Sequence, residues 1–341
     1  MTYEIENIPV VVPVIPVVKP IQDDEFYGAT PEQRRMYLKQ RQSLPLSVKV
    51  ALTKRRIVEW YEAHDGKVYI AFSGGKDSSV LKDIVRSIYP EVPCVFADTG
   101  LEYPELKEFV RTVENVIVVK PEKNFKQVIN EYGYPVISKS VARKIRDLQN
   151  PTDKNFNVNN LSLTGIKMDG SQGAYQSKLS NKWVYLKNAP FKISEKCCDF
   201  IKKNPCKVYE KETGRVPFVG TMTDDSLMRE SAYLQTGCNN FNGRHVSLPL
   251  AFWTEQDILE CLYNKWVSYC KIYGEIVLEN GVYRTTGEHR TGCMFCMFGV
   301  HLEKQPNRFQ RMKLSHPDYY DYCINKLNLK EVLNYINVPY E

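Results

Sequence analysis

The sequence predicts an α/β protein built on an open, mostly parallel sheet with helices on both faces, and three observations carry that prediction. Val68-Tyr69-Ile70-Ala71-Phe72 is a short apolar run bounded by Asp65-Gly66 and Gly74-Gly75, the signature of a strand buried on both faces. Such runs then alternate with helix-period segments as far as Tyr132. Strands spaced by single helices pair in parallel through right-handed crossovers. Lastly, the glycine pair Gly74-Gly75 lies where the first strand turns into a helix.

The elements follow in order. Residues 1–24 are proline-rich and predict an extended arm. Thr30 is placed to cap a helix that opens at Pro31. A second helix is predicted over 47–63, where Val48, Ala51, Leu52, Ile57 and Trp60 recur at helical spacing. Beyond the strand at 68–72 come a helix over 78–88, a strand over 92–97 and a helix over 104–113 with Pro104 in its first turn. A strand over 116–119 and a helix over 124–132 complete the alternation. Residues 150–185, rich in Asn, Ser, Lys and Gly, predict a loop or insertion. A strand over 216–219 and a helix over 224–235 come next, and Thr254 caps a helix reaching Tyr263, with Asp257 at the capping-box position.

The 341 residues are 43% hydrophobic and 25% charged, which suits a globular chain with a sizeable core. A net charge of +6 suits an anionic substrate and permits a nucleic-acid partner. The apolar run Val10 to Val18 is broken by Pro13 and Pro16, so no membrane span is expected there, and Glu4 and Glu6 stand where an export signal would be positive. The expected setting is cytoplasmic and reducing. The ten cysteines are therefore read as thiols or metal ligands rather than as a disulfide framework.

Ser73-Gly74-Gly75-Lys76-Asp77-Ser78 has the properties of a phosphate loop. Two glycines allow positive φ and close approach of an anion, and the amides opening the following helix point at it with the helix dipole behind them. Lys76 adds a positive charge, and Ser73 and Ser78 add hydroxyl donors. The spacing is neither that of the common P-loop nor that of the dinucleotide-binding fingerprint. The alternative is a tight strand-to-helix turn with an incidental lysine.

This loop is similar to that of the PP-loop ATP pyrophosphatases, a Rossmann-like fold of the adenine nucleotide alpha-hydrolase-like superfamily. Within them the chain resembles the phosphoadenosine phosphosulfate (PAPS) reductase family. Phe96-Ala97-Asp98-Thr99-Gly100-Leu101-Glu102-Tyr103-Pro104-Glu105 resembles that family's second signature, one strand–helix unit later. The resemblance implies that Asp98, Thr99 and Gly100 line a nucleotide pocket, with Lys76 and Asp77 in catalytic roles. Gly133-Tyr134-Pro135 and Ser138-Lys139 also fit, and Lys139 and Arg143 share a helix face at i, i+4, placed to meet phosphates or to form a solvated basic face. In the stretch from Gly220 to Arg229, Met222 stands where the family carries arginine, which leaves Arg229 as the later nucleotide contact. The implied organisation is an N-terminal extension over 1–50 and a nucleotide-binding domain over 51–260 that includes the insertion. A C-terminal region over 261–341 bears the Cys-x-x-Cys motif and packs on that domain.

Cys197-Cys198 and Cys293-Met294-Phe295-Cys296 form the second informative set, their inner members 95 positions apart. A C-x-x-C pair directs two thiolates at one metal or cluster. Adjacent cysteines followed by a distant C-x-x-C resemble the [4Fe–4S] pattern of adenylyl-sulfate (APS) reductases, which implies a cluster on Cys197, Cys198, Cys293 and Cys296. Zinc, or Cys206 or Cys238 in place of one of the adjacent pair, is the alternative. Adjacent cysteines can converge on one group only on helical or kinked backbone. Cys94, Cys261, Cys270 and Cys323 sit among apolar neighbours and read as packed thiols.

Two reactions suit this equipment. In one, ATP with Mg²⁺ adenylates an acceptor, pyrophosphate leaves and sulfur is transferred, with a nucleic acid as a conceivable acceptor and a cysteine desulfurase as a conceivable donor. In the other, APS or PAPS is reduced by a cysteine nucleophile. The reductases carry that nucleophile in a Glu-Cys-Gly-x-His segment, and the last cysteine here, Cys323, lies in Tyr-Cys-Ile-Asn. Adenylation coupled to sulfur transfer is therefore the favoured expectation. A non-catalytic nucleotide-binding module with a structural metal is the third reading.

Overall fold

The strands and helices expected over 68–132 are all present. The computed structural model describes Phe26 and residues 28–341, so the arm expected over 1–24 lies outside the described residues. In chain order the helices and strands are α1 (Pro31–Gln42), α2 (Leu46–Ala63), β1 (Val68–Ala71), α3 (Lys76–Arg86), β2 (Cys94–Ala97), α4 (Pro104–Thr112), β3 (Val116–Val119), α5 (Phe125–Tyr132) and β4 (Val136–Ile137). They continue with α6 (Lys139–Gln149), α7 (Phe156–Thr164), α8 (Asn204–Thr213), β5 (Val216–Val219), α9 (Leu227–Thr236), β6 (Asn239–Asn240) and β7 (Val246–Ser247). Last come α10 (Glu255–Tyr263), β8 (Ile276–Glu279), β9 (Val282–Thr285), β10 (Met297–Phe298), α11 (Arg308–Ser315), α12 (Pro317–Asp321) and α13 (Leu329–Tyr335).

The chain forms two compact units, Met1–Val68 with Pro217–Thr254, and Tyr69–Val216 with Glu255–Glu341. In the larger unit β1, β2 and β3 pair in parallel, with Ile70 opposite Cys94 and Val95 opposite Ile117. Tyr69, Val95 and Tyr209 form a buried cluster on this sheet. Helix α3 buries Val80, Leu81 and Val85, and α4 buries Leu106 and Val110. Each such side chain contributes on the order of 1.5–3 kcal/mol on leaving water, so these two helices are fixed firmly behind the loops that precede them. A separate parallel pair, β4 with β10, and an antiparallel hairpin, β8 with β9, complete this unit.

In the smaller unit β5 pairs in parallel and β6 antiparallel with β7. Helix α1 starts as expected, with a capping box between Thr30 and Gln33. Fully buried Trp253 donates its indole N–H to Thr53 Oγ1 at 2.9 Å, and Thr53 donates in turn to the Pro249 carbonyl at 3.1 Å.

Two segments differ from expectation. The segment 150–185 contains α7, whose Asn159 amide donates to Asp147 O at 3.1 Å and to Asn155 at 3.0 Å. Side-chain amide bonds here replace the apolar stripe that sequence periodicity detects. Helix α9 begins at Leu227 because Ser226 caps it, after a separate 3₁₀ turn over Thr223–Asp225.

His64 packs against Trp60 and Phe241, with its Nε2 at 3.1 Å from His245 Nδ1. Burial holds its pKa below the usual 6.5, and His245 adds to the effect against the opposing Trp60 carbonyl and Asp65. The unfolded chain therefore takes up a proton more readily than the folded one, and stability falls as pH drops from above 6.5 through the lowered folded value. Thermal melts between pH 7.5 and 5.5 are expected to show the loss, and His64→Gln to flatten the slope.

Candidate functional site

The turn from β1 into α3 is fixed by one glycine. Gly74 has φ +72°, and a Cβ there would stand 2.3 Å from Leu106 Cδ2 and 2.8 Å from Val110 Cγ2. Gly75 is the extended N-cap residue of α3. Three serine bonds brace the loop: Ser78 Oγ donates to Gly75 O at 2.9 Å, Ser73 N–H donates to Ser78 Oγ at 3.2 Å, and Gly75 N–H donates to Ser73 Oγ at 3.3 Å. The first amides of α3 are thus presented at the carboxyl end of a central strand, where anions bind in open α/β sheets.

Lys76 is 4% exposed, and its surroundings are oxygen-rich. Its Nζ lies 3.0 Å from Glu255 Oε1 and donates to the His289 carbonyl at 3.1 Å. Its backbone N–H donates to Tyr273 Oη at 3.1 Å, and that hydroxyl is 2.6 Å from Thr291 Oγ1. Burial pushes the Tyr273 phenol up to about 12, against the Thr291 and Lys76 bonds, so it stays a neutral hydroxyl. Glu255, Tyr273, His289 and Thr291 went unnoticed as partners of the loop. Nothing in their spacing relates them to Lys76.

The second loop, after β2, is held by its own carboxylates. Glu102 is buried and accepts from Thr99 N–H at 3.1 Å and from Thr99 Oγ1 at 2.6 Å. Asp98 accepts from Lys107 at 2.7 Å and from Gly100 N–H at 3.2 Å. Burial raises the Asp98 carboxyl, but the Lys107 bond and charge and the Gly100 amide outweigh it, and the net shift is downward. Gly100 has φ +77° with open space around a built Cβ.

The two cysteine pairs are brought together by a single extended segment, 134–137. On one side Tyr134 N–H donates to Lys192 O at 2.8 Å and Ser194 N–H to Tyr134 O at 3.0 Å, just ahead of Cys197. On the other side β4 pairs with β10, just after Cys296. The approach is close enough that a Cβ on Gly133, at φ +111°, would stand 2.4 Å from the Lys192 carbonyl carbon. Cys197 and Cys198 sit on helical backbone leading into a π-helical turn, Asp199–Lys203, so their side chains need not diverge as on a strand. The Cys293–Cys296 turn is closed by Cys296 N–H on Cys293 O at 3.1 Å. It is also tied to the second loop by Met294 N–H on Leu101 O at 2.8 Å.

The four sulfurs interact electrostatically. Cys197 Sγ donates to Cys198 Sγ at 4.0 Å. That bond holds the Cys198 thiol down at about 6 despite burial, with Lys139 and Lys202 adding positive charge. The same bond and burial push Cys197 up, with Cys198, Cys296 and Cys293 contributing. Burial pushes Cys293 up to about 11 against the pull of Lys202, and Cys296 upward also. Lys202 is held at about 12, chiefly by Cys293, and stays charged. Among the described residues no group of three or more His, Cys, Asp and Glu side chains is spaced as for a single metal ion. Four thiols within electrostatic reach of one another, Cys197 buried and the others half-buried, with two lysines beside them, nevertheless suit the chemistry of a thiolate-held iron–sulfur cluster, whose net charge is negative. Cys206, on α8, is partly exposed, and Cys238 is buried in the smaller unit.

Lys139 thus meets Cys198 rather than a phosphate-loop group, and Arg143 is exposed on the same helix. Arg229 is ion-paired with Asp225 one helical turn away, in the smaller unit. Cys94, Cys261, Cys270 and Cys323 are buried, as expected.

The chain belongs to the phosphoadenosine phosphosulfate reductase family: residues 67–178 and 150–296 match the profile of the phosphoadenosine phosphosulfate reductase domain. It is 23% identical over 277 residues to an uncharacterized protein of Methanocaldococcus jannaschii, covering 80% of this chain and 51% of that protein. It is 24% identical over 135 residues to the adenosine 5'-phosphosulfate reductase of Halalkalibacterium halodurans, covering 37% of this chain and 58% of that enzyme. The chain therefore spans little more than half the length of these two relatives. The crystal structure of phosphoadenylyl-sulfate reductase from Candida auris, a phosphate complex, aligns over 77% of this chain and 98% of that one, with a TM-score of 0.37 and 14% identity.

Three glycine substitutions test the backbone of the site. Gly74→Ala is expected to cost about 2–4 kcal/mol in urea unfolding, from left-handed strain plus the clash with Leu106, whereas Gly100→Ala costs only about 1 kcal/mol. Gly133→Ala is expected to loosen the approach of residues 192–194. In cluster-free protein its Cys197 and Cys198 should be alkylated several times faster than in wild type, read by mass spectrometry, with Cys261 unchanged.

Proposed function

We propose that this protein binds ATP on the phosphate loop and adenylates an acceptor that then receives sulfur, with a [4Fe–4S] cluster on Cys197, Cys198, Cys293 and Cys296. The observation that carries the reading is the backbone bond joining the cysteine turn to the second loop, Met294 to Leu101, in a unit whose α3 N-terminus and buried Lys76 already engage oxygen atoms. Glu255 Oε1, Tyr273 Oη and the His289 carbonyl take the bonds that phosphate oxygens would take.

In the proposed reaction an acceptor oxygen attacks the α-phosphorus. The new P–O bond forms as the bond to the β-phosphate oxygen breaks, and the electron pair leaves with pyrophosphate. Lys76 and the first amides of α3 stabilise the charge on the departing pyrophosphate, and Mg²⁺ held near Asp77 would share that charge. Thr99, fixed by Glu102, shapes the neighbouring wall. A bound cluster would supply a site for sulfur handling or electron transfer, while Lys139 and Lys202 offset its charge. A persulfide on a desulfurase-type donor then attacks the adenylated carbon of the acceptor, for which a nucleic acid is one option; AMP leaves with the C–O electron pair, and a second thiol cleaves the resulting disulfide, leaving the thiolated acceptor and a disulfide on the donor side.

Reduction of APS or PAPS requires an accessible thiolate nucleophile. Cys323, the last cysteine of the sequence, has no exposed surface, and burial raises its thiol to about 12. Cys323 in this position does not supply that thiolate.

Anaerobically purified protein is expected to absorb near 400 nm, and Cys293→Ser to lose that band. With ATP, Mg²⁺ and an acceptor it should release pyrophosphate, and Lys76→Met should lower that rate at least a hundredfold. Glu255→Gln removes a carboxylate that competes for Lys76, so ATP should bind about fivefold more tightly, on the order of 1 kcal/mol. Sulfite release from APS with thioredoxin, and no pyrophosphate from ATP, would establish the reductase instead. Nucleotide binding with neither product would establish a non-catalytic module.

A further inference from the structure

One side of the larger unit takes no part in the site above, and it is built in an unusual way. Strand β3 is the end strand of its sheet. The carbonyls of Asn115 and Val119 accept from Cys94 and Asp98 on the β2 side. With the strand's period of two, the N–H and C=O groups of Val116 and Val118 point the other way, off the edge. All four residues of β3 are β-branched and apolar, and Ile117 and Val118 are 38% and 52% exposed. Natural edge strands are normally blunted by a charge, a proline or a bulge within the strand. Here the first such residues, Lys120 and Pro121, follow the strand.

Beside this edge runs a groove of about 740 Å³ between β3 and α8. Its floor is apolar, from Ile117, Val119, Val208 and Tyr209, and its rim carries four lysines, Lys120, Lys123, Lys207 and Lys211, against two glutamates, Glu122 and Glu212. Val208 is 54% exposed. Lys207 and Lys211 are exposed, lie one helical turn apart on α8, and have no ion pair among the described residues. Four residues of helix rise about 6 Å, close to the roughly 6.6 Å between same-face side chains of a strand. An extended chain on β3 would therefore present successive acidic side chains in step with these two lysines.

We propose that the edge of β3 and its groove form a docking site for an extended acidic segment of a partner protein, which adds to the sheet as a further strand. The open backbone of Val116 and Val118 supplies the hydrogen bonds, the apolar floor takes the stems of the incoming side chains, and the lysine rim sets the preference for acids. A nucleic-acid strand would match the lysines but would leave the apolar floor and the outward-pointing backbone unanswered.

The test uses the full chain and a fluorescein-labelled octapeptide of alternating Val and Glu, kept at concentrations where it is monomeric, with binding read by anisotropy. Micromolar binding is expected. Lys207→Glu combined with Lys211→Glu, both on an exposed helix face, should weaken it at least tenfold without changing the circular dichroism spectrum. A peptide N-methylated at alternate amides should not bind. Three results would overturn the proposal: no binding of the Val–Glu peptide, equal binding of a Val–Lys peptide, or lysine-dependent binding of an oligo(U) strand in place of the peptide.

Discussion

The site depends on one backbone turn. At Gly74 the chain leaves β1 in the left-handed region and passes so close to α4 that no side chain fits between them. That turn sets the start and direction of α3, and so the positions of its first amides and of Lys76. The two leucine- and valine-bearing helices behind it, α3 and α4, are held by core burial rather than by the loop itself. The geometry proposed to bind an anion is therefore set by core packing, which is what a preorganised electrostatic site requires.

A second close approach, at Gly133, brings the two cysteine pairs together in the same way. Segment 134–137 bonds on one side to the backbone ahead of Cys197 and on the other to the backbone behind Cys296. Ile137, at the end of β4, takes φ +62°, a conformation β-branched residues avoid. It persists only because bonds on both sides define the segment. The strain lies one residue before Ser138, which caps α6 and so places Lys139 toward Cys198. The iron–sulfur proposal thus rests on a backbone clamp as well as on the residue types.

Much of this was legible in the sequence, for identifiable reasons. β1, β2, β3 and the helices between them were readable because buried parallel strands and amphipathic helices carry strong periods. Family membership was readable because the two loop motifs fix both residue type and spacing, and the capping box at Thr30 was equally local. Contacts made through tertiary folding were not readable. Glu255 and Tyr273 reach Lys76 from more than 170 positions away, and no pattern links them. The i, i+4 spacing shows the helix face of Lys139 but not the partner of that face, Cys198, which tertiary folding supplies. Helix α7 was missed because asparagine amides hold it where an apolar stripe was sought.

The most direct test of the central claim is a phosphorus NMR titration of ATP with Mg²⁺ against anaerobic protein. Binding on the α3 N-terminus should shift or broaden the phosphate resonances with wild-type protein and leave them at their free positions with Lys76→Met. Unaltered resonances with folded wild-type protein, or identical changes with Lys76→Met, would contradict it.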